Sequence, residues 1–114
     1  MAVFNGAFPV LPGKEAAAKA FAATCIGERR SEFEDLQSRV KTTRETWSYQ
    51  ETPMGALMLV WFDTVDVEAV FVDLATADDD FAVWFRAQVL DFTGVDLGAA
   101  PEGPPPEIVL DWSA

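Results

Sequence analysis

The most informative pattern in the chain runs from Ala56 to Thr64, where apolar residues occupy both alternating sets of positions. A strand here places three apolar side chains on each side of a sheet: Leu57, Leu59 and Trp61 on one, and Met58, Val60 and Phe62 on the other. A half-solvated antiparallel strand alternates apolar with polar residues, so this strand is expected to be covered on both faces. Helices of the same chain can cover one face. We expect a second copy of the chain to cover the other.

The first half of the chain predicts a strand, a long helix and another strand. Residues 2–10 form the first strand, which ends near Pro9, with Gly6 at a bulge or a close approach. Helix-forming residues with an apolar stripe then run from residue 14 to about residue 41, with a kink or interruption at Gly27. Residues 44–52 predict a strand that pairs with the Ala56 to Thr64 strand through a short turn at Pro53 and Met54.

The second half predicts two helical segments and a last strand. Asp66 is the expected N-cap of the first segment, and Asp78 to Asp80 begin the second, which Gly94 ends. After a proline-rich connector, residues Glu107 to Trp112 predict the last strand. The resulting order of strand, helix, strand, strand, helix, strand is typical of an α+β, ferredoxin-like split βαβ fold with a four-stranded antiparallel sheet and helices on one face.

The chain resembles the dimeric α/β-barrel superfamily in this element order, in the double-sided third strand, in Pro12-Gly13-Lys14 after the first strand, and in the hairpin from Gln50 to Gly55. It looks most like small uncharacterised bacterial members related to antibiotic-biosynthesis monooxygenases and haem-degrading oxygenases. The resemblance implies that the sheet faces of two copies pack together into an α/β barrel. We expect the face that meets the partner to carry Met58 and Val60.

Composition narrows the function classes. The chain has 114 residues, which predicts one domain over 1–114, and it has no apolar run long enough for a membrane helix and no visible secretory signal. These features predict a cytoplasmic protein with no membrane partner. The net charge of −11 opposes binding to nucleic acid. With no His and one Cys, zinc, iron–sulfur and imidazole-ligated haem sites are not expected, so we predict no metal and no cofactor.

Arg29 is the most specific single candidate for ligand binding, because a helical wheel places it in the middle of the apolar stripe. A guanidinium there could anchor an anionic ligand in a pocket between helix and sheet. The alternatives are an internal salt bridge with a carboxylate such as Glu32, or a side chain that reaches water where the helix bends at Gly27.

Asn5 and Trp61 are candidates because of the resemblance. Haem-degrading and quinone-forming members of the superfamily use an Asn on the first strand and a Trp on the third in an oxygen-handling pocket. The haem-ligating His has no counterpart here, which leaves cofactor-free oxygenation, in which the substrate itself reduces dioxygen. The structural alternative is that Trp61 belongs to the core and Asn5 to a bulge or edge.

The hairpin supplies further candidates. Thr46, Ser48 and Gln50 are expected to share a face with Leu57, Leu59 and Trp61, and such a mixture of polar and apolar groups suits a ligand pocket. Three other features have structural interpretations. Tyr49 is expected to be buried, Asp78 to Asp80 to cap a helix instead of binding a metal, and Cys25 to pack without reacting.

Together these patterns predict a homodimer that binds a small molecule between sheet and helices, with Arg29, Asn5, Ser48, Gln50 and Trp61 in the pocket. It would be a cofactor-independent, monooxygenase-like enzyme acting on an aromatic or polyketide-like substrate. The alternative is a non-catalytic dimeric binding or regulatory module. No residue is identified as catalytic.

Overall fold

An antiparallel hairpin and one further strand form a sheet that four helices cover on one face. The structure, a computed structural model, describes residues 2–101 and 103–114. Its elements are β1 (Ala2–Pro9), α1 (Glu15–Ile26), α2 (Arg30–Val40), β2 (Arg44–Thr52), β3 (Gly55–Thr64), α3 (Val67–Thr76) and α4 (Asp80–Thr93). The strand order is β1-β3-β2, with both pairs antiparallel. In the described residues, none of the helices has the length and apolar character needed to cross a membrane.

The prediction of a four-stranded sheet is wrong, because the described residues form three strands only. Residues 107–112 make no ladder with any strand and are exposed along their length. The three prolines that precede them lack backbone N–H donors and favour stiff polyproline geometry, so this part of the chain cannot donate ladder hydrogen bonds to a strand edge. The apolar residues of the segment therefore did not make it a strand, although the outer edges of β1 and β2 are unpaired in the described sheet.

The hairpin of β2 and β3 is confirmed, and so is the partition of its side chains. Tyr49 lies opposite Met58 and Ser48 opposite Leu59, so these two pairs are on opposite faces of the sheet. The turn closes at Gly55, whose φ of +120° is a backbone conformation that residues with a Cβ rarely adopt.

The prediction of which face points outward is wrong. Met58 and Val60 are 2% and 5% exposed because the helices cover them, and Phe62 on the same side is equally buried. Leu59 and Trp61 lie on the open face and are partly exposed. Alternation fixes which side chains share a face, but the path of the helices decides which face they cover.

β1 is a single strand, as predicted, and its pairing with β3 is continuous from Ala2 opposite Thr64 to Pro9 opposite Leu57. No bulge therefore interrupts it. A Cβ atom at Gly6 would lie 2.6 Å from the ring of Phe4. The close approach of a side chain to the backbone thus explains this glycine.

Local signals predicted the helix boundaries well. The predicted long helix is interrupted at Gly27 and becomes α1 and α2. The side chain of Asp66 accepts a hydrogen bond from the Ala69 N–H at 3.3 Å and caps α3, and Asp79 caps α4 in the same way. Gly94 ends α4 in the left-handed conformation, with φ of +78°.

The core lies between the helices and the inner face of the sheet. Phe21 of α1 is at its centre, and its ring packs on Phe85 and Phe92 of α4 and on Trp47 of β2 at centroid distances of 5.0 to 5.5 Å. This aromatic packing fixes the helices on one side of the sheet and leaves the other side uncovered.

Candidate functional site

The open face of the sheet carries most of the residues predicted to bind a ligand. Trp61 in the central strand lies between Asn5 of β1 and Thr46 of β2. In the next row, Leu59 lies between Ala7 and Ser48. Directly opposite side chains in antiparallel strands have Cβ atoms about 4.5–5.5 Å apart, so these rows form one continuous surface.

A shallow hollow of about 590 Å³ lies over these two rows. It is lined by residues of all three strands and one proline of the C-terminal segment: Asn5, Gly6, Ala7, Thr46, Ser48, Leu59, Val60, Trp61 and Pro106. The volume lies within the range of about 300–1,000 Å³ that is typical of small-molecule sites. The hollow is open on its outer side, so a ligand would need a cover to be desolvated.

The chemistry of the hollow is neutral. Its lining offers one amide, two hydroxyl groups and the indole of Trp61, and none of its side chains carries a charge. Such groups can orient an uncharged molecule by hydrogen bonds and by stacking on the indole. They do not supply a general acid or base with a pKa near neutrality.

Two of the predicted site residues lie outside the hollow. Gln50 is on the same face, opposite Leu57, but one row farther along the strand. Arg29 lies between α1 and α2, on the side of the molecule where the helices pack. The prediction that all five residues meet in one pocket between sheet and helices is therefore wrong, because the sheet separates Arg29 from Asn5, Ser48 and Trp61.

Arg29 makes an internal salt-bridge network. Its Nε donates to Glu32 Oε1 at 2.8 Å and its Nη2 to Asp80 Oδ2 at 2.7 Å, and the guanidinium carbon is 4.8 Å from the ring centroid of Trp84. The hydrogen bond from Arg29 lowers the pKa of Glu32. Arg29 thus fastens the corner between α1 and α2 to the start of α4, as the salt-bridge alternative predicted.

Arg29→Met is expected to change the free energy of unfolding by less than about 1 kcal/mol, because both carboxylates can return to water and the thioether can occupy the same aromatic surface. Urea denaturation measures this change. Arg30→Met, at a residue of the same segment whose side chain is 66% exposed, is the control. A loss above about 2 kcal/mol for Arg29→Met alone would show that the network contributes more than exposed ion pairs normally do.

Comparison with family models, with curated proteins and with solved structures gives no significant match. A function can therefore be inferred only from the geometry and chemistry of the molecule.

A second feature, which the sequence patterns did not reveal, is the partly buried carboxylate of Glu45. It accepts hydrogen bonds from Gln37 Nε2 at 2.8 Å and from Trp47 Nε1 at 2.5 Å. It borders an apolar cavity of about 40 Å³ between sheet and helices, which has room for no more than a few water molecules. The sequence did contain a signal for this position. Glu45, Trp47 and Tyr49 are spaced two residues apart, so in a strand their side chains lie on the same, inner face of β2.

Burial raises the pKa of Glu45, and the hydrogen bonds from Trp47 and Gln37 oppose this effect. A carboxyl group whose pKa is higher in the folded state loses its stabilising contribution as the pH rises through that pKa. Glu45→Gln should therefore unfold at higher urea concentration than the parent at pH 7, and the difference should shrink toward pH 4. The Gln37 amide can turn over to accept from the new side chain.

Urea titrations at several pH values test this expectation. Glu51→Gln, at an exposed position of the same strand, is the matched control and should change the free energy of unfolding by less than about 0.5 kcal/mol. If the difference between parent and Glu45→Gln instead grows as the pH falls, the pKa of Glu45 is lowered in the folded state and the expectation is wrong.

Cys25 and Tyr49 are unsuited to catalysis. Burial, with a smaller effect of Glu45, raises the pKa of the Cys25 thiol to about 12, so little thiolate forms at neutral pH. Burial, with smaller effects of Glu51 and Glu15, likewise raises the pKa of Tyr49. Cys25 is buried in the core, as predicted, whereas Tyr49 is only partly buried.

The acidic residues at the start of α4 are used in capping and pairing. Asp79 caps the helix and Asp80 pairs with Arg29. Across residues 2–101 and 103–114, no group of three or more His, Cys, Asp or Glu side chains is arranged to hold a metal ion.

Proposed function

We propose that this protein is a homodimer that binds a small, uncharged and largely apolar molecule on the open face of its sheet. The observation that carries this proposal is the hollow over Asn5, Thr46, Ser48 and Trp61, which combines neutral hydrogen-bonding groups with an indole surface. A flat aromatic molecule with hydroxyl or carbonyl substituents fits this chemistry, because it can stack and hydrogen-bond at the same time.

The dimer supplies the missing cover. Leu57, Leu59 and Trp61 form an apolar strip along the centre of the open face, and no helix among the described residues covers it. Burying a Leu side chain contributes about 1.5–3 kcal/mol, which favours contact with a second apolar surface. A second copy placed against this face would cover the strip and enclose the hollow.

One observation favours an oxygenase as the second candidate. Asn5 and Trp61 are direct neighbours across the β1–β3 ladder, so the pair implied by the superfamily resemblance does meet in space. The hollow itself lacks a general base, which favours binding over catalysis. Consumption of dioxygen during incubation with polyhydroxylated aromatic compounds would distinguish the two functions. Membership of the superfamily and a cytoplasmic location stay predictions.

Native mass spectrometry of the purified protein tests the proposal, because it reports the oligomeric state and any co-purified molecule together. Binding of candidate aromatic compounds can then be followed by the rise in melting temperature. A ligand at a hundred times its dissociation constant stabilises the folded state by about 2.7 kcal/mol.

Thr46→Val and Ser48→Ala should each remove a hydrogen bond to the ligand and reduce this stabilisation by about 1 kcal/mol, while the melting temperature of the free protein stays nearly unchanged. Gln50→Met is the matched control, since Gln50 lies on the same face of the same strand but does not line the hollow. Equal losses from the control and from the two hollow variants would place the binding site elsewhere.

A further inference from the structure

The C-terminal segment leaves the body of the protein with its apolar side chains uncovered. Ile108, Val109, Leu110 and Trp112 are 64%, 86%, 81% and 78% exposed. Four of five consecutive residues are large, apolar and exposed, and such apolar patches on proteins mark contact surfaces. We call residues 107–112 the C-terminal arm.

The path of the chain places the start of this arm at the open sheet face. Pro106 lines the hollow together with residues of all three strands, so the chain has already reached that face when the arm begins. Residues 104–106 are all prolines, which favour a stiff, extended conformation of about 3.1 Å per residue. The apolar side chains that follow are nevertheless exposed, so the arm does not pack on the sheet of its own chain.

We propose that the C-terminal arm docks on the open sheet face of a second copy of the chain, and that the two copies exchange arms reciprocally. This inference rests on the dimer of the proposed function and adds the segment that holds it together. In an extended arm, Ile108, Leu110 and Trp112 point to one side, which allows all three to contact the apolar strip of the other copy.

A second copy fits this role better than an unrelated partner for two reasons. The chain carries one exposed apolar arm and one uncovered apolar strip. In two copies related by a two-fold axis, each arm can therefore cover the strip of the other copy. The six residues of an extended arm span about 20 Å, which exceeds the width of a three-stranded sheet with strands about 4.8 Å apart. The arm can therefore reach across the face from a start at the interface.

The exchange would also complete the ligand site. The hollow is open on its outer side, and its lining already includes Pro106 of the same chain. An arm from the second copy would bring Leu110 and Trp112 over this opening. The ligand would then lie between an indole of the sheet and apolar side chains of the partner.

Sedimentation equilibrium on the full chain and on a chain that ends at Pro106 tests the inference. The truncated chain should have a dimer dissociation constant at least ten times higher, with an unchanged far-ultraviolet circular dichroism spectrum. A chain that ends at Trp112, which lacks only Ser113 and Ala114, should match the full chain. An unchanged dissociation constant after truncation at Pro106 would overturn the role of the arm and leave the dimer of the proposed function standing.

Leu110→Asp in the full-length chain gives the same test without truncation and should weaken the dimer in the same direction. Isotope-filtered NMR on a mixture of labelled and unlabelled full chains then locates the arm. We expect contacts from the Trp112 indole of one copy to the Leu57 and Leu59 methyl groups of the other. Contacts confined to a single chain would overturn the exchange, and a monomer at millimolar concentration would overturn the proposed dimer as well.

Discussion

Replacement of Leu59 by Asp should convert the proposed dimer into a folded monomer. Leu59 is at the centre of the open face and does not contribute to the buried core, so its removal leaves the packing of the helices intact. Two buried leucines are lost per dimer, at about 1.5–3 kcal/mol each, which raises the dissociation constant at least about a hundredfold. Each introduced carboxylate would also lie in an apolar contact with the other copy, which adds a desolvation cost.

Sedimentation would show the parent near twice the chain mass of 12.5 kDa and Leu59→Asp near that mass. Met54→Asp is the control, since Met54 is 98% exposed at the tip of the hairpin and is equally apolar. Circular dichroism and a cooperative urea transition would establish that the monomer is folded. A Leu59→Asp chain that still dimerises at micromolar concentration would show that the interface lies on another surface.

Replacement of the adjacent Met58 by Asp should prevent folding altogether. Met58 is 2% exposed and packs in the core under the helices. Truncating a buried Met costs about 2–5 kcal/mol, and an unpaired buried carboxylate adds several more. The sum is comparable to the entire stability of a domain, about 5–15 kcal/mol.

The comparison of these neighbours tests the assignment of the two sheet faces directly. Met58→Asp should give no cooperative urea transition and little protection of backbone amides from hydrogen exchange, whereas Leu59→Asp should retain both. The conservative variant Met58→Leu should fold with a loss below about 1.5 kcal/mol, which shows that charge and not sequence position causes the failure. The opposite pattern, with Met58→Asp folded and monomeric, would reverse the inner and outer faces.

The lining of the hollow contains no titratable side chain among the described residues. An enzyme that abstracts protons needs a titratable group within hydrogen-bond reach of its substrate. Among the described residues, the partly buried carboxylate of Glu45 is on the inner face of the sheet, and the hollow is on the outer face. The two features of one chain therefore cannot act on the same ligand, which agrees with the proposal of binding without catalysis.

Features that depend on neighbouring residues could be predicted from the sequence. The interruption at Gly27, the caps at Asp66 and Gly94, and the hairpin with Ser48 and Leu59 on a shared face all follow from backbone preferences and from the period of a strand. These forces act over a few residues, so they can be identified without knowledge of the fold. The mixed polar and apolar character of the face that carries Ser48 and Trp61 was identified for the same reason.

The face of β3 that the helices cover could not be predicted in this way, because Met58 and Leu59 are both apolar and a local pattern cannot rank them; the packing of the helices determines it. It also separated Arg29 from Asn5 and Trp61, since the sheet lies between residues that a helical wheel and a strand pattern treat independently. Whether residues 107–112 pair with a strand likewise depended on the path of the proline segment before them, which a local pattern does not show. Each outcome depends on contacts between distant parts of the chain, where burial and hydrogen bonding decide among locally equivalent choices.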